Sequence, residues 1–258
     1  MPTTELQRIK AFMLDFARRQ AGRAVALPGV PEGFAVRDDV FALSRANNQL
    51  VVGGGPVDPG VLRALADEAL GDLPHRLISV FDDEAGAACA APLTEAGYRH
   101  SVCLVMLHAG PVRPAARAAE IVDLDAIRGP LTRRWHGFQP DAGEEVVRQL
   151  TECREARRHG ADVVRFIGSR ADDGEVASWA DLYLDPESGT AQIEDLVTAE
   201  DRLGRGHADA VLSTALRLAL DAGCGTRFLI ADAADWPRHW YARRGFGEIG
   251  RVHVFERL

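Results

Sequence analysis

The chain has 258 residues, 47% of them apolar and 26% charged, with a formal net charge of −8. The apolar share is enough for a buried core and excludes a disordered chain, while the acidic balance excludes an electrostatic nucleic-acid surface, which needs a basic one. No apolar run reaches the roughly 18 residues of a membrane-spanning helix, so no membrane partner is expected.

The N-terminus, Met-Pro-Thr-Thr-Glu, lacks the basic segment and apolar core of a signal peptide, which predicts a cytoplasmic protein. Residues 4–21 read as an amphipathic helix, with Leu6, Ile9, Phe12, Met13 and Phe16 on one stripe. Strand-like runs follow at 33–44 and 49–52, then a glycine cluster, Gly53-Gly54-Gly55-Pro56. A helix at 58–70, a strand at 76–81, a helix at 84–96 and a strand at 98–108 complete the first half. The Pro-, Ala- and Gly-rich stretch 108–117 breaks every pattern and is the linker candidate. Beyond it lie a strand near 118–123, helical segments through 125–158 interrupted at Gly137 and Pro140, and strands at 162–169, 175–184 and 190–198. A long helix at 207–222 stops at Gly223. A strand at 227–232, a helix at 235–244 and strands from 247 onward finish the chain. Alternating strands and helices predict an α/β or α+β fold on a mixed sheet. Cys89, Cys103, Cys153 and Cys224 show no CxxC pair or metal-ligand spacing and read as structural thiols, so no metal is expected.

An internal echo points to two related halves: the segments 61–70, 76–80 and 95–98 can be laid against 211–220, 227–231 and 243–246 in the same order. The segment that bears chemistry is Gly204-Arg205-Gly206-His207-Ala208, which follows a strand and opens a helix. Glycines there let successive N–H groups converge, and the first helical turn adds unpaired donors and a partial positive charge, which suits a pyrophosphate. It is not a Walker loop, because no Lys-Ser/Thr pair follows, and it lacks the full Gly-x-Gly-x-x-Gly of a dinucleotide fold.

Together with Tyr241-Ala-Arg-Arg-Gly245-Phe246 downstream, this region resembles the GNAT superfamily of acyl-CoA-dependent N-acyltransferases. Their CoA loop reads Arg/Gln-x-x-Gly-x-Gly/Ala, and their next motif ends in Tyr-x-x-x-Gly-Phe. Leu203 stands where the loop has Arg or Gln, and Ala234 and Asp235 stand near where the second motif has Asn. The resemblance covers roughly 116–258. It implies tandem GNAT-like domains, 1–110 and 116–258, each a mixed, mostly antiparallel twisted sheet flanked by helices. In the first half Leu93 replaces the tyrosine and Pro56, which has no N–H to donate, falls opposite Gly206. That half is expected to be a degenerate copy that has lost CoA.

The implied activity is acetyl transfer from acetyl-CoA to a primary amine, carried by a small molecule or a peptide. The backbone of Leu196, Val197 and Thr198 is expected to bind the thioester, the segment Leu203, Gly204, Arg205, Gly206, His207 and Ala208 the diphosphate, and Asp235, Trp236 and Tyr241 the remainder of the cofactor. Glu194 is the expected general base, with Asp195 and Asp181 in reserve, and Tyr241 the expected acid. Strand alternation would place Glu194, Leu196 and Thr198 on one face and Asp195 and Val197 on the other. The side chain of His207 is expected to face phosphate or solvent. Trp135, His136 and Phe138 lie where acceptor pockets are built in this family. Homodimerisation stays open. A CoA-binding sensor or scaffold without catalysis is the alternative, and a nucleotide-binding regulator a third reading.

Overall fold

The structure, a computed structural model, describes residues 4–258; the first three residues, on which part of the reading of the N-terminus rests, lie outside it. In the first half the elements are α1 (Glu5–Gln20), β1 (Arg23–Ala26), β2 (Gly33–Arg37), β3 (Gln49–Val52), α2 (Pro59–Leu70), β4 (Arg76–Val80), α3 (Asp83–Glu95) and β5 (Arg99–His108). After these come β6 (Glu120–Val122), α4 (Leu124–Phe138), α5 (Glu144–Glu152), α6 (Arg154–Arg157), β7 (Val163–Arg170), β8 (Val176–Asp185) and β9 (Thr190–Thr198). The chain closes with α7 (His207–Asp221), β10 (Thr226–Asp232), α8 (Pro237–Ala242) and β11 (Phe246–Arg257).

Local chemistry sets the helix starts. Thr4 and Gln7 form a reciprocal capping box on α1. The Asp58 carboxylate accepts from the N–H groups of Gly60 and Val61, with Pro59 at the first helical position. Asp82 accepts from Ala85 N–H at 2.9 Å to start α3. The expected strand 33–44 ends at Arg37, because the Asp38 carboxylate accepts from Val40 and Phe41 N–H at 3.0 and 3.1 Å and folds the chain into a turn. The strand β1 has no sequence signature, since all four of its residues are exposed and no alternation marks it.

The chain forms two compact units, residues 1–106 with 230–258, and residues 107–229. In the first, strands run in the order β1-β2-β3-β4-β11-β5. Antiparallel β1–β2 and β2–β3 pairs lead to a parallel β3–β4 pair, and β4 pairs antiparallel with β11 from Arg76↔Arg257 to Val80↔His253. Leu50, Val52, Leu62, Ala66, Leu70, Ile78, Cys89 and Leu93 share one core with Phe255 of β11, which is fully buried. The units follow strand pairing and packing, so 230–258 joins the N-terminal unit, whereas the sequence pattern sets the division near the linker at 108–117.

The second unit orders its strands β10-β9-β8-β7-β6, antiparallel except for the parallel β9–β10 pair. Leu124, Ile127 and Leu131 of α4 bury against Val122, Phe166, Val176 and Trp179 on one face of this sheet. The helix α7 packs on β7, β8 and β9; its first residue bonds Ser169, three positions from Phe166, which places α7 on the opposite face.

Candidate active site

The strand β9 departs from regular pairing at the residues singled out for chemistry. Its register with β8 runs Glu194↔Asp181 and then Val197↔Trp179. Asp195 and Leu196 therefore oppose the single residue Ala180, which is a β-bulge. Asp195 takes up the extra residue with φ of 50°, in the left-handed region that Asp tolerates better than most residues. The bulge reverses the alternation: Glu194 and Val197 share the face of Asp181 and Trp179, while Thr198, which donates to Ser178 Oγ at 3.0 Å, lies on the other. The expected grouping of Glu194, Leu196 and Thr198 on one face thus fails by one residue. On the other edge of β9, registered pairing with β10 ends at Ile193↔Leu229. Burial follows the pairing: Thr190–Ile193 are buried, and every residue of 194–198 is half-buried.

Beneath the bulge lies an ionic assembly, buried at Arg154 and Asp181 and half-buried at Asp195. Arg154 donates through Nε to Asp181 Oδ1 at 3.0 Å and through Nη2 to Asp195 Oδ2 at 3.0 Å. Arg157 Nη1 donates to Asp181 Oδ2 and to Asp195 Oδ2, both at 2.7 Å. Tyr183 OH adds a bond to Asp181 Oδ2 at 3.1 Å. Glu194 stands beside this group and accepts from Gln192 Nε2 at 2.5 Å. Two guanidinium groups balance Asp181 and Asp195, which makes Glu194 a third and surplus carboxylate. Burial first, and then repulsion from Asp195, lift its pKa from 4.5 to about 7. For Asp195, burial works in the raising direction, but Arg157 and Arg154 override it and hold the carboxyl well below its ordinary value. Glu194 is thereby the member of the group suited to take and release a proton near neutrality.

The loop that follows β9 begins with a short 3₁₀ turn, Glu200–Arg202, tied down by Arg202 Nη2 to Asp173 Oδ2 at 2.6 Å. Gly204 and Gly206 have φ of 73° and 81°, and a Cβ on either would meet nothing within 4 Å, so the outer side of the loop is open. Gly206 caps α7 with no side-chain bond. Among the described residues no acceptor is bonded to the backbone N–H groups of Gly204, Arg205, Gly206, His207 or Ala208. These unpaired donors stand at the positive end of a 15-residue helix. The side chain of His207 does not face phosphate or solvent: it is 2% exposed, with Nδ1 at 2.9 Å from Ser169 Oγ. The Ser169 hydroxyl donates to Ala118 O, which makes His207 Nδ1–H the donor to Ser169. Burial, reinforced by Arg117 and Arg205, lowers the imidazole pKa and keeps it neutral. Its role in the loop is to pin α7 to β7. Arg205 is exposed, and its carbonyl accepts from Arg117 Nε at 2.8 Å. Leu203, also exposed, precedes the first glycine.

Asp235, Trp236 and Tyr241 belong to the other compact unit. Tyr241, on α8, is buried, with its ring edge-on to Trp240 at 5.2 Å and to Phe246 at 5.8 Å. Asp235 Oδ1 accepts from Trp236 N–H at 2.7 Å, and the Trp236 ring is mostly exposed. On α4, Trp135 packs edge-on to Phe138 at 6.1 Å; the Trp135 indole N–H is buried without a partner and Phe138 is exposed. Sequence reasoning missed Arg154, Arg157 and Gln192. The three-residue spacing of the two arginines puts them on one helix face, a signal that names no partner.

In the N-terminal unit, a cavity of about 870 Å³ opens beside the glycine cluster, lined among others by Lys10, Arg18, Glu32 and Gly53–Gly55. The Glu32 carboxylate occupies the space beside Gly53, 2.9 Å from where a Cβ would stand.

The acetyltransferase (GNAT) family model matches residues 131–246. No curated protein matches the sequence. Among solved structures, a GCN5-related N-acetyltransferase from Kribbella flavida superposes with a TM-score of 0.60 at 20% identity over 96% of this chain and 94% of that one. A functionally unknown conserved protein from Staphylococcus epidermidis gives 0.64 at 13% identity, over 84% and 86%. A tandem GNAT protein from the clavulanic acid biosynthesis pathway gives 0.53 at 14% identity, over 96% and 94%. These likenesses establish the fold, in a tandem arrangement, and the matched segment 131–246 is similar to the acetyltransferase domain of the GNAT family.

Proposed function

We propose that the chain transfers an acetyl group from acetyl-CoA to a primary amine by direct attack. The match of residues 131–246 to the GNAT family supports acyl transfer in general. The observation that carries the finer reading is the sequence of a bulged strand and an N–H-rich loop on one unit, with a surplus carboxylate at the bulge.

The cofactor brings a thioester, whose carbonyl carbon is the electrophile. Five N–H groups at 204–208 with no bonded acceptor lie at a helix N-terminus with open space above both glycines, which supports a site for its anionic part. The backbone N–H groups of Leu196–Thr198, past the end of the β10 ladder, would hold the negative charge that develops on the carbonyl oxygen; one such donor is typically worth about 3 kcal/mol of barrier. Glu194, held neutral-prone by burial and by Asp195, would accept the proton released by the attacking amine, directly or through a water. Tyr241 would return a proton to the departing thiolate. An amide and a free thiol result, and the proton lost by the amine balances the one gained by sulfur. The N-terminal half would then serve packing or substrate shaping: Pro56 follows its glycines and the Glu32 carboxylate stands over them, which opposes a phosphate there. We place the protein in the cytoplasm; no helix among the described residues is long and apolar enough to cross a membrane.

Leu203, an exposed apolar residue in place of a phosphate-facing Arg or Gln, favours the second reading, a protein that binds acyl-CoA without catalysis. Calorimetry with acetyl-CoA followed by thiol release across aminoglycosides, polyamines, amino acids and peptide N-termini separates the two. Thiol release with at least one amine supports the transferase. Binding with no release from any amine leaves the sensor, and no binding at all overturns both.

A further inference from the structure

The buried ions under β9 call for a reason other than stability. Arg154 is 2% exposed and Asp181 0%. Removing two such charges from water costs more than their attraction commonly returns, and apolar residues of equal volume hold a core as well or better. What this assembly does instead is geometric. Both arginines come from α6, both reach Asp181 on β8, and both close on Asp195 Oδ2, at 3.0 Å and 2.7 Å. Asp195 is the residue of β9 in the left-handed region, at the bulge itself.

A non-glycine residue leaves the left-handed region readily unless its surroundings hold it there. If Asp195 relaxed to an extended conformation, β9 could regain regular pairing with β8 only by a one-residue slip, and such a slip turns every later side chain to the opposite face. The N–H groups of Leu196–Thr198 would change direction with it. Val197, which packs against the cluster around Trp179, marks the register that the bulge preserves.

We infer that Arg154, Arg157 and Asp181 form a positioning lattice that grips Asp195, fixes the bulge of β9 and so sets the direction of the N–H groups at 196–198. The consequence for rate rests on the acyl-transfer reading; the consequence for the strand does not. None of the four residues touches the reacting atoms in this account.

The test combines hydrogen–deuterium exchange of the full chain with steady-state kinetics for Asp195→Ala and Asp195→Asn. Asn tolerates the left-handed region yet removes the charge, so it keeps the test alive if the alanine variant fails to fold. The lattice predicts exchange at 194–198 faster by on the order of tenfold, with β7 and the first part of β8 as slow as in the parent. It further predicts a CoA dissociation constant within about twofold of the parent, and kcat lower by about 100-fold, as for the loss of one oxyanion donor. A general loss of stability would instead speed exchange throughout the unit. Unchanged exchange at 194–198 in both folded variants overturns the lattice, and faster exchange with unchanged kcat overturns its link to the carbonyl-binding groups. A parent that turns over no amine, with faster exchange in the variants, supports the lattice and removes the acyl-transfer reading.

Discussion

Replacing Glu194 by Gln keeps the size of the side chain and an acceptor for Gln192 but removes the charge. In the parent, burial and Asp195 raise the carboxyl from 4.5 to about 7. Between these values the folded chain binds a proton that the unfolded chain has released, so stability falls as pH rises through that window. Each pKa unit corresponds to about 1.4 kcal/mol, which puts the cost of the charged form above pH 7 at up to about 3 kcal/mol. Urea unfolding of the two proteins should therefore diverge: the Gln variant gains up to about 3 kcal/mol on the parent between about pH 4 and pH 8. Asp195 acts in the opposite sense. Its depressed pKa contributes stability above the ordinary carboxylate range that is lost as pH falls through and below it, and because both proteins keep it, it largely cancels from the difference. Activity should move the other way, with kcat/KM lower by about 10²- to 10⁴-fold. The parent's inflection near neutrality should vanish, leaving only the titration of the amine. Stability curves that run parallel from about pH 4 to pH 8 would refute the assignment of a surplus carboxylate, and an unchanged pH–rate profile would refute its role as base.

Two further substitutions probe the loop and the phenol. Gly206→Ala meets no steric obstacle but must hold φ of 81°, which costs about 1–2 kcal/mol; calorimetry should show weaker CoA binding by on the order of tenfold, with kcat at saturation nearly unchanged. Tyr241→Phe keeps the edge-on packing with Trp240 and Phe246, so its melting temperature should stay within about 2 °C while kcat falls on the order of 100-fold where chemistry limits the rate.

Much of this architecture was legible in the sequence because periodicity and punctuation are local signals. The helices over 4–21, 58–70 and 207–222 carry apolar stripes, caps and stops, and they stand within a residue or two of α1, α2 and α7. The glycine loop was legible for the same reason. What was hidden depends on partners far along the chain. Nothing in Glu194-Asp195-Leu196 marks a bulge, because Asp195 is driven to φ of 50° by arginines 38 and 41 positions away. The raised pKa of Glu194 follows from burial and then from repulsion by Asp195, and both exist only after α6, β8 and β9 have met. The inward turn of His207 likewise depends on Ser169, 38 residues earlier.

The destination of the C-terminal strand is the other hidden element, and it governs whether the halves can be separated. Residues 116–258 carry both segments that resemble the family, Gly204–Ala208 and Tyr241–Phe246, which invites the expectation that they fold alone. Strand β11, however, pairs with β4 over Arg76–Val80, and Phe255 lies in the core formed by α2, α3 and β4. A chain of residues 116–258 expressed by itself would expose Phe255, a loss of about 1.5–3 kcal/mol for that side chain alone, together with the unpaired edge of β11. Stabilities of 5–15 kcal/mol leave little room for several such losses. The expected outcome is a fragment that aggregates, or that unfolds at least about 10 °C below the full chain in a thermal scan, with Tyr241 no longer held on an ordered helix. A soluble fragment with the full chain's melting temperature would show that β11 does not need β4, and that the division near 108–117, rather than the strand pairing, marks the folding unit.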